Sequence, residues 1–139
     1  MRYPAMMFFS LWTTTVYAEP SIAIVTNNHS ELGALTRKQV ADIYMGRITS
    51  LPNLSIPLPL DYQGESALRN HFYQALTGKS MAQINAYWAR LSFTGQANPP
   101  RRLADKATLL RAVEKNPDAL GYIESTASSS SVTTLMTVE

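Results

Sequence analysis

Leu58-Pro59-Leu60-Asp61-Tyr62-Gln63-Gly64-Glu65-Ser66-Ala67-Leu68-Arg69-Asn70-His71-Phe72-Tyr73-Gln74-Ala75-Leu76 passes directly from an extended run into an amphipathic helix. Ile56, Leu58 and Leu60 alternate with Pro57 and Pro59. Two prolines cannot both donate to a ladder, so the run reads as an edge strand or a short extended piece, paired close to Leu58–Tyr62. Residues 62–66 then turn the chain. Leu68, Phe72 and Leu76 follow at spacing four with Ala75 beside them, which puts them on one face of a helix from about Ala67 to Leu76. Thr77-Gly78-Lys79 stops that helix. A strand feeding straight into a helix is the repeating unit of an α/β sheet, and the flanking sequence extends it in both directions.

Upstream, Ser21 to Thr26 is a short β-branched run of the kind that forms a buried strand. Thr36 and Gln39 form a capping box for a helix with Val40, Ile43 and Tyr44 on its apolar stripe, and Gly46 suits its end. Downstream, Ser80 and Gln83 make a second capping box, with Ile84, Tyr87, Trp88 and Leu91 facing inward. Phe93 to Arg102, with Gly95, Pro99 and Pro100, reads as a restrained loop. Asp105 starts a fourth helix carrying Leu109, Leu110 and Val113, closed by Asn116-Pro117. Ala119 to Glu124 reads as a strand, Ala127 to Ser131 as a flexible Ser-rich linker, and Val132 to Val138 as a last strand. The order predicts a sheet covered by helices on both faces, a single three-layer α/β/α domain over residues 19–139.

Residues 1–18 read differently. Arg2 precedes an almost wholly apolar stretch from Ala5 to Trp12, and Val16-Tyr17-Ala18 has small residues where a signal peptidase reads. This is the layout of a cleaved secretory signal, and it predicts export to a bacterial periplasm. Spanning a bilayer takes about twenty apolar residues, more than this run offers, and nothing later approaches that length. No integral membrane segment is expected after cleavage.

Without Arg2 the remaining chain carries eleven Lys and Arg against ten Asp and Glu. So even a balance predicts no nucleic-acid partner. Cys is absent, which excludes disulfide staples, thiolate nucleophiles and Cys-based metal or haem sites. His29 and His71 are the two imidazoles and match no ligand spacing, so no metal and no cofactor are expected. Ser66 and His71 are too far apart on one helix for a nucleophile–base pair, and Asp61 as an orienting carboxylate is merely permitted. The sequence predicts no enzyme.

The chemistry concentrates at the strand-to-helix junction. In open α/β sheets ligands gather beyond the carboxyl ends of strands, where helix N-termini present unpaired N–H groups. Gly64 lets backbone approach a ligand, Ser66 offers a hydroxyl and Arg69 a guanidinium, a set able to hold an anion. The same residues also read as an ordinary N-cap and a solvated arginine, and Glu65 would compete with a bound anion. Tyr62 beside them reads as a pocket wall or as a contact for a partner. Most of the aromatics (Tyr44, Tyr62, Tyr73, Tyr87, Trp88, Phe93) are expected in the core. Arg101-Arg102 reads as an exposed basic pair, solvated or a docking patch.

Three segments carry a resemblance. Leu35 to Arg47 (LTRKQVADIYMGR) is similar to the "LT..Q…IF.G" helix of the phosphate ABC-transporter substrate-binding family, which belongs to the type 2 periplasmic binding proteins. Tyr87-Trp88 with Phe93-Thr94-Gly95 and Pro99-Pro100 resembles a segment of its short members. Asn116 to Ile123 looks like the closing "NPGAIGYV" strand. The resemblance runs from Ile22 to about Glu124, and implies one lobe of a type 2 fold with its crossing strands. The implied function is non-catalytic binding of phosphate or another small oxyanion for an ABC transport system. A partner envelope protein or another copy would then complete the site. The alternative is an envelope scaffold or interaction module that has lost phosphate binding. At its phosphate loop the family carries an Arg followed four residues later by Ser-Gly-Thr. Aligned on Phe72, Tyr62 stands at the Arg, Ser66 at the Ser, Ala67 at the Gly, Leu68 at the Thr and Arg69 at the frequently basic next position. Tyr62 cannot supply the bidentate contact of an arginine, and Leu68 lacks the hydroxyl.

Overall fold

The computed structural model describes residues 9–16, 20–127 and 129–139. Residues 1–8 and 17–19, with most of the expected signal peptide and its cleavage point, lie outside the described residues. Residues 9–16 carry no helix or strand, and Phe9, Leu11, Trp12 and Val16 are exposed.

The elements follow in the order β1 (Ile22–Asn27), α1 (Arg37–Tyr44), β2 (Leu58–Tyr62), α2 (Ala67–Thr77), α3 (Met81–Phe93), β3 (Arg101–Leu103), α4 (Lys106–Lys115), β4 (Ala119–Glu124) and β5 (Val132–Val138). The strands form one mixed sheet in the order β3-β2-β4-β1-β5. β2 runs parallel to β3 and β4, while β1 is antiparallel to β4 and β5. Both expected capping boxes are formed, Thr36 with Gln39 and Ser80 with Gln83, and Ser66 and Asp105 cap α2 and α4. The α/β class and the helices on both faces are as the sequence predicts.

Alternation along β4 shows how the two faces are filled. Gly121 presents bare backbone to α4: a Cβ built there would lie 2.8 Å from Cδ2 of Leu109, which is itself fully buried beside Val113. Tyr122 points the other way and stacks on Phe72 of α2, with centroids 3.7 Å apart and planes 3° from parallel. Tyr44 of α1 meets Phe72 edge-on at 4.7 Å.

Two expectations change, the place of β2 in the sheet and the loop after α3. β2 is not an edge strand. Leu58 and Pro59 pair with β4, whereas Leu60 to Tyr62 pair with β3. Each half of β2 is paired on one side, so the prolines never need to donate both ways. The outer strand on this side is β3, a three-residue piece that starts in the last two residues of the stretch read as a loop and ends at Leu103. Of the six aromatics expected mostly in the core, Tyr44, Tyr62, Tyr73 and Trp88 are buried, and Phe93 at the end of α3 is the exposed one, at 93%. The segment read as a linker begins in a 3₁₀ turn at Ser125–Ala127, and the hydroxyls of Ser129 and Ser131 bond at 2.7 Å; Ser128 lies outside the described residues.

The seam where β2 leaves β4 is closed by side chains. The Tyr44 hydroxyl lies 2.8 Å from the Leu60 carbonyl and 3.1 Å from that of Leu120, and Tyr62 donates to the Tyr122 carbonyl at 2.8 Å. Buried carbonyls that the ladder no longer pairs thus receive phenolic donors. Burial first, then the Asp61 charge, pushes both phenols well above the ordinary tyrosine range, so they stay protonated.

At the end of α1, Asp42 accepts from Lys38 Nζ at 2.6 Å and Arg47 Nη1 at 3.0 Å. The Lys38 hydrogen bond leads in holding its carboxyl below the usual range, against a smaller opposing effect of burial. A folded-state pKa below the unfolded one makes the contribution complete above about pH 4 and removes it as pH falls through the folded value. With both partners largely exposed, each pair is worth only about 0.3–1 kcal/mol. Asp42→Asn should therefore lower the urea midpoint at pH 7, and the gap to wild type should close towards pH 3. A constant gap would mean that packing, not charge, is what Asp42 contributes.

Candidate functional site

β2 and β3 are parallel neighbours, so their carboxyl ends lie together, and each leads into a helix that starts there. The N-termini of α2 and α4 converge at this end of the sheet. Between them is an open depression of about 310 Å³, lined by Tyr62, Gln63, Ser66, Leu68, Lys106 and Glu124 among others.

Of the residues singled out in the sequence, Tyr62 and Ser66 border this depression. Tyr62 is 7% exposed with its hydroxyl committed to β4, which makes it a wall and not an exposed partner contact. Ser66 Oγ accepts from the Arg69 N–H at 3.1 Å. That cap leaves the N–H groups of Ala67 and Leu68, at the head of α2, without acceptors within the helix. Ala67 also borders two neighbouring hollows that include His71. Gly64 has φ +73°, and a Cβ there would meet nothing within 4 Å, so its backbone faces open space.

Arg69 points elsewhere. It is 3% exposed, and its Nε lies 3.2 Å from both carboxylate oxygens of Asp61, with the guanidinium 5.5 Å from the Tyr73 ring centre. The solvated surface arginine weighed in the sequence does not occur, and Nε is already spent on Asp61. Nor does Asp61 orient an imidazole. At 1% exposure it accepts from Tyr73 at 2.7 Å, Tyr122 at 2.5 Å and the Tyr62 N–H at 2.7 Å, besides Arg69. Burial leads, and Asp61 adds to it, in driving the Tyr73 and Tyr122 phenols far up, so both remain donors. The cluster ties the end of β2 to the first turn of α2 and to β4. It therefore fixes where the helix start points.

Lys106, the first residue of α4, and Glu124, the last of β4, were missed. Lys106 follows the N-cap Asp105, a sign of a helix start, but without β3 nothing brings that start beside α2. The charge balance at the rim is mixed. Burial is foremost in raising the Tyr62 phenol, with the Asp61, Asp105 and Glu124 charges adding to it, and Glu124 lines the depression together with its one lysine, Lys106. Asp105 is itself held below the ordinary range, chiefly by the Thr108 backbone N–H. Among the described residues no group of three or more His, Cys, Asp or Glu converges as a metal site, and no helix is long and apolar enough to cross a membrane.

No protein-family model and no curated protein matches the sequence. Solved structures do match in fold. An ABC-type phosphate transport receptor from Vibrio cholerae superposes with TM-score 0.64 at 20% identity, over 84% of this chain and 45% of that one. A Clostridium perfringens protein assigned as a phosphate ABC transporter substrate-binding protein, solved with bound phosphate, gives 0.63 at 20% identity with the same coverage. A Planctomyces limnophilus protein put forward as phosphate-binding gives 0.55 at 13% identity, over 76% of this chain and 36% of its own. The chain spans less than half the length of these structures. It has the α/β fold of one lobe of phosphate-binding proteins.

Proposed function

We propose that the chain is an exported, non-catalytic solute-binding-like protein that captures phosphate or a similar small oxyanion for an ABC transport system. The carrying observation is the depression at the joined starts of α2 and α4, at the carboxyl end of parallel strands in a lobe shaped like those of phosphate receptors. Ser66, the free N–H groups of Ala67 and Leu68, the open backbone at Gly64 and the Lys106 ammonium are the donors on offer. Half a cleft leaves an anion partly hydrated, so capture by the lobe alone is weak and a second surface, from a partner chain or another copy, completes it.

Calorimetry of the folded protein against phosphate and sulfate tests this. The expected result is saturable heat in the millimolar range, weakened roughly fivefold by Ser66→Ala and by Lys106→Ala, the loss of one charge-assisted contact each. A folded sample without saturable heat rejects capture by the chain alone.

A second reading is an envelope interaction module that has lost phosphate binding. It is favoured by Arg69, whose Nε is held by Asp61, and by the carboxylates around Tyr62. Both reduce the positive potential that an oxyanion needs.

A further inference from the structure

A larger depression, about 540 Å³, lies where α1 meets the turn between α2 and α3. Arg37 and Lys38 from the first turn of α1, Arg47 after it and Lys79 between α2 and α3 line it, with Asp42 as its one carboxylate and Leu76 as an apolar wall. From Glu19 onward the chain is almost balanced, with eleven cations against ten carboxylates. Four of those cations gather here against one carboxylate, so the surface charge is segregated.

Structural duty accounts for part of this cluster. Lys38 and Arg47 pair with Asp42, and an Arg37 Nη donates to the Ala75 carbonyl in the last turn of α2. Each of these contacts occupies one donor, out of three on a lysine and five on an arginine. The side chains are thus held at the rim with donors to spare, which lowers the ordering cost of binding. Lys79 has no ion pair among the described residues. Stitching α1 to its neighbours explains neither Lys79 nor the surplus of positive charge.

We propose that this depression docks an acidic protein segment carrying at least one apolar side chain. A lone small anion would touch only part of it: four cations reach the depression from three segments of the fold, and each exposed ion pair alone is worth about 0–1 kcal/mol. Several carboxylates on one chain add their contributions, and an apolar residue covers Leu76, which an inorganic ion leaves untouched. A membrane surface is flat and cannot follow a concavity lined from three segments of the fold. The complementary charge steers the partner, so binding weakens as salt rises.

The site is separate from the oxyanion depression, and its test stands apart from phosphate binding. Fluorescence anisotropy is measured with three short labelled peptides: glutamates around two leucines, the same peptide with serines for leucines, and a lysine counterpart. The first should bind saturably and more tightly than the second, and the third should not bind. Lys79→Glu should weaken the first peptide roughly tenfold, while Arg111→Glu, on α4, should leave it within about twofold. Ser66→Ala should change nothing. Lys79 has no internal ion pair to lose, so the variant should keep the wild-type circular dichroism. Equal losses in Lys79→Glu and Arg111→Glu, or no binding of the leucine peptide at low salt, would overturn the proposal. So would equal affinity for the serine peptide. Lys79-dependent binding of inorganic phosphate or phosphatidylglycerol vesicles, without peptide binding, would overturn it in favour of another occupant.

Discussion

Asp61→Ala is expected to cost about 3–5 kcal/mol of folding stability, because it strands a buried guanidinium without its counter-charge. The size follows from what the carboxylate holds. Arg69, Tyr73, Tyr122 and the Tyr62 N–H all donate to it, and Asp61 and Arg69 are both almost fully buried. Removing the acceptor leaves donors that water reaches poorly, each with its own desolvation penalty. A domain of this size is stable by about 5–15 kcal/mol, so about a fifth or more would be lost. Asp61→Asn should cost less, since its amide oxygen still accepts from Tyr122 or the Tyr62 N–H while the charge on Arg69 goes unanswered. Asp61→Leu with Arg69→Met should cost less than the sum of the two single changes, but not nothing, because both phenols still lose their acceptor. Urea unfolding followed by far-ultraviolet circular dichroism measures all five variants, the two single changes included. A loss below about 1 kcal/mol for Asp61→Ala would mean that water enters the cluster freely.

This cluster also marks how far the sequence can be read. Local signals were legible because they act over three or four residues: the Thr36 and Ser80 capping boxes, the Ser66 N-cap, the Leu68–Phe72 face of α2 and the extent of β2 all appear as read. What needed tertiary placement was not. The prolines of residues 56–60 suggested an edge, yet β2 is interior, because it changes partner halfway along. Three residues, Arg101–Leu103, are too few and too charged to announce a strand, and missing β3 hid the meeting of two helix starts and with it Lys106. Arg69 looked like a surface or ligand-facing side chain because nothing in a helix pattern says that an aspartate eight residues earlier will bury it. Its spacing from Ser66 was visible, but its direction was set by Asp61, Tyr73 and Tyr122 together.

Gly46→Ala is the second large effect, expected at about 2–4 kcal/mol from two sources that can be separated. Gly46 follows α1 at φ +69°, where an L side chain costs about 1–2 kcal/mol. The rest is steric: a Cβ there would stand 2.8 Å from Cη2 of Trp88 and 3.4 Å from Cβ of Ala97. The indole cannot easily yield. It is 4% exposed, and Tyr87 beside it meets its ring edge-on at 5.4 Å while donating to the Met45 carbonyl at 2.6 Å. The end of α1 and the middle of α3 are thus locked through adjacent residues, and moving Trp88 moves the helix. Its Nε1, buried without a hydrogen-bond partner among the described residues, gains nothing by staying, which makes the indole a removable obstacle. Trp88→Phe deletes the ring atoms that would collide. In that background Gly46→Ala should cost only the backbone part, about 1–2 kcal/mol, so the double-mutant cycle should show the two changes partly compensating. Strict additivity in urea unfolding would put the whole penalty on the backbone and remove the close approach of Trp88 from the account.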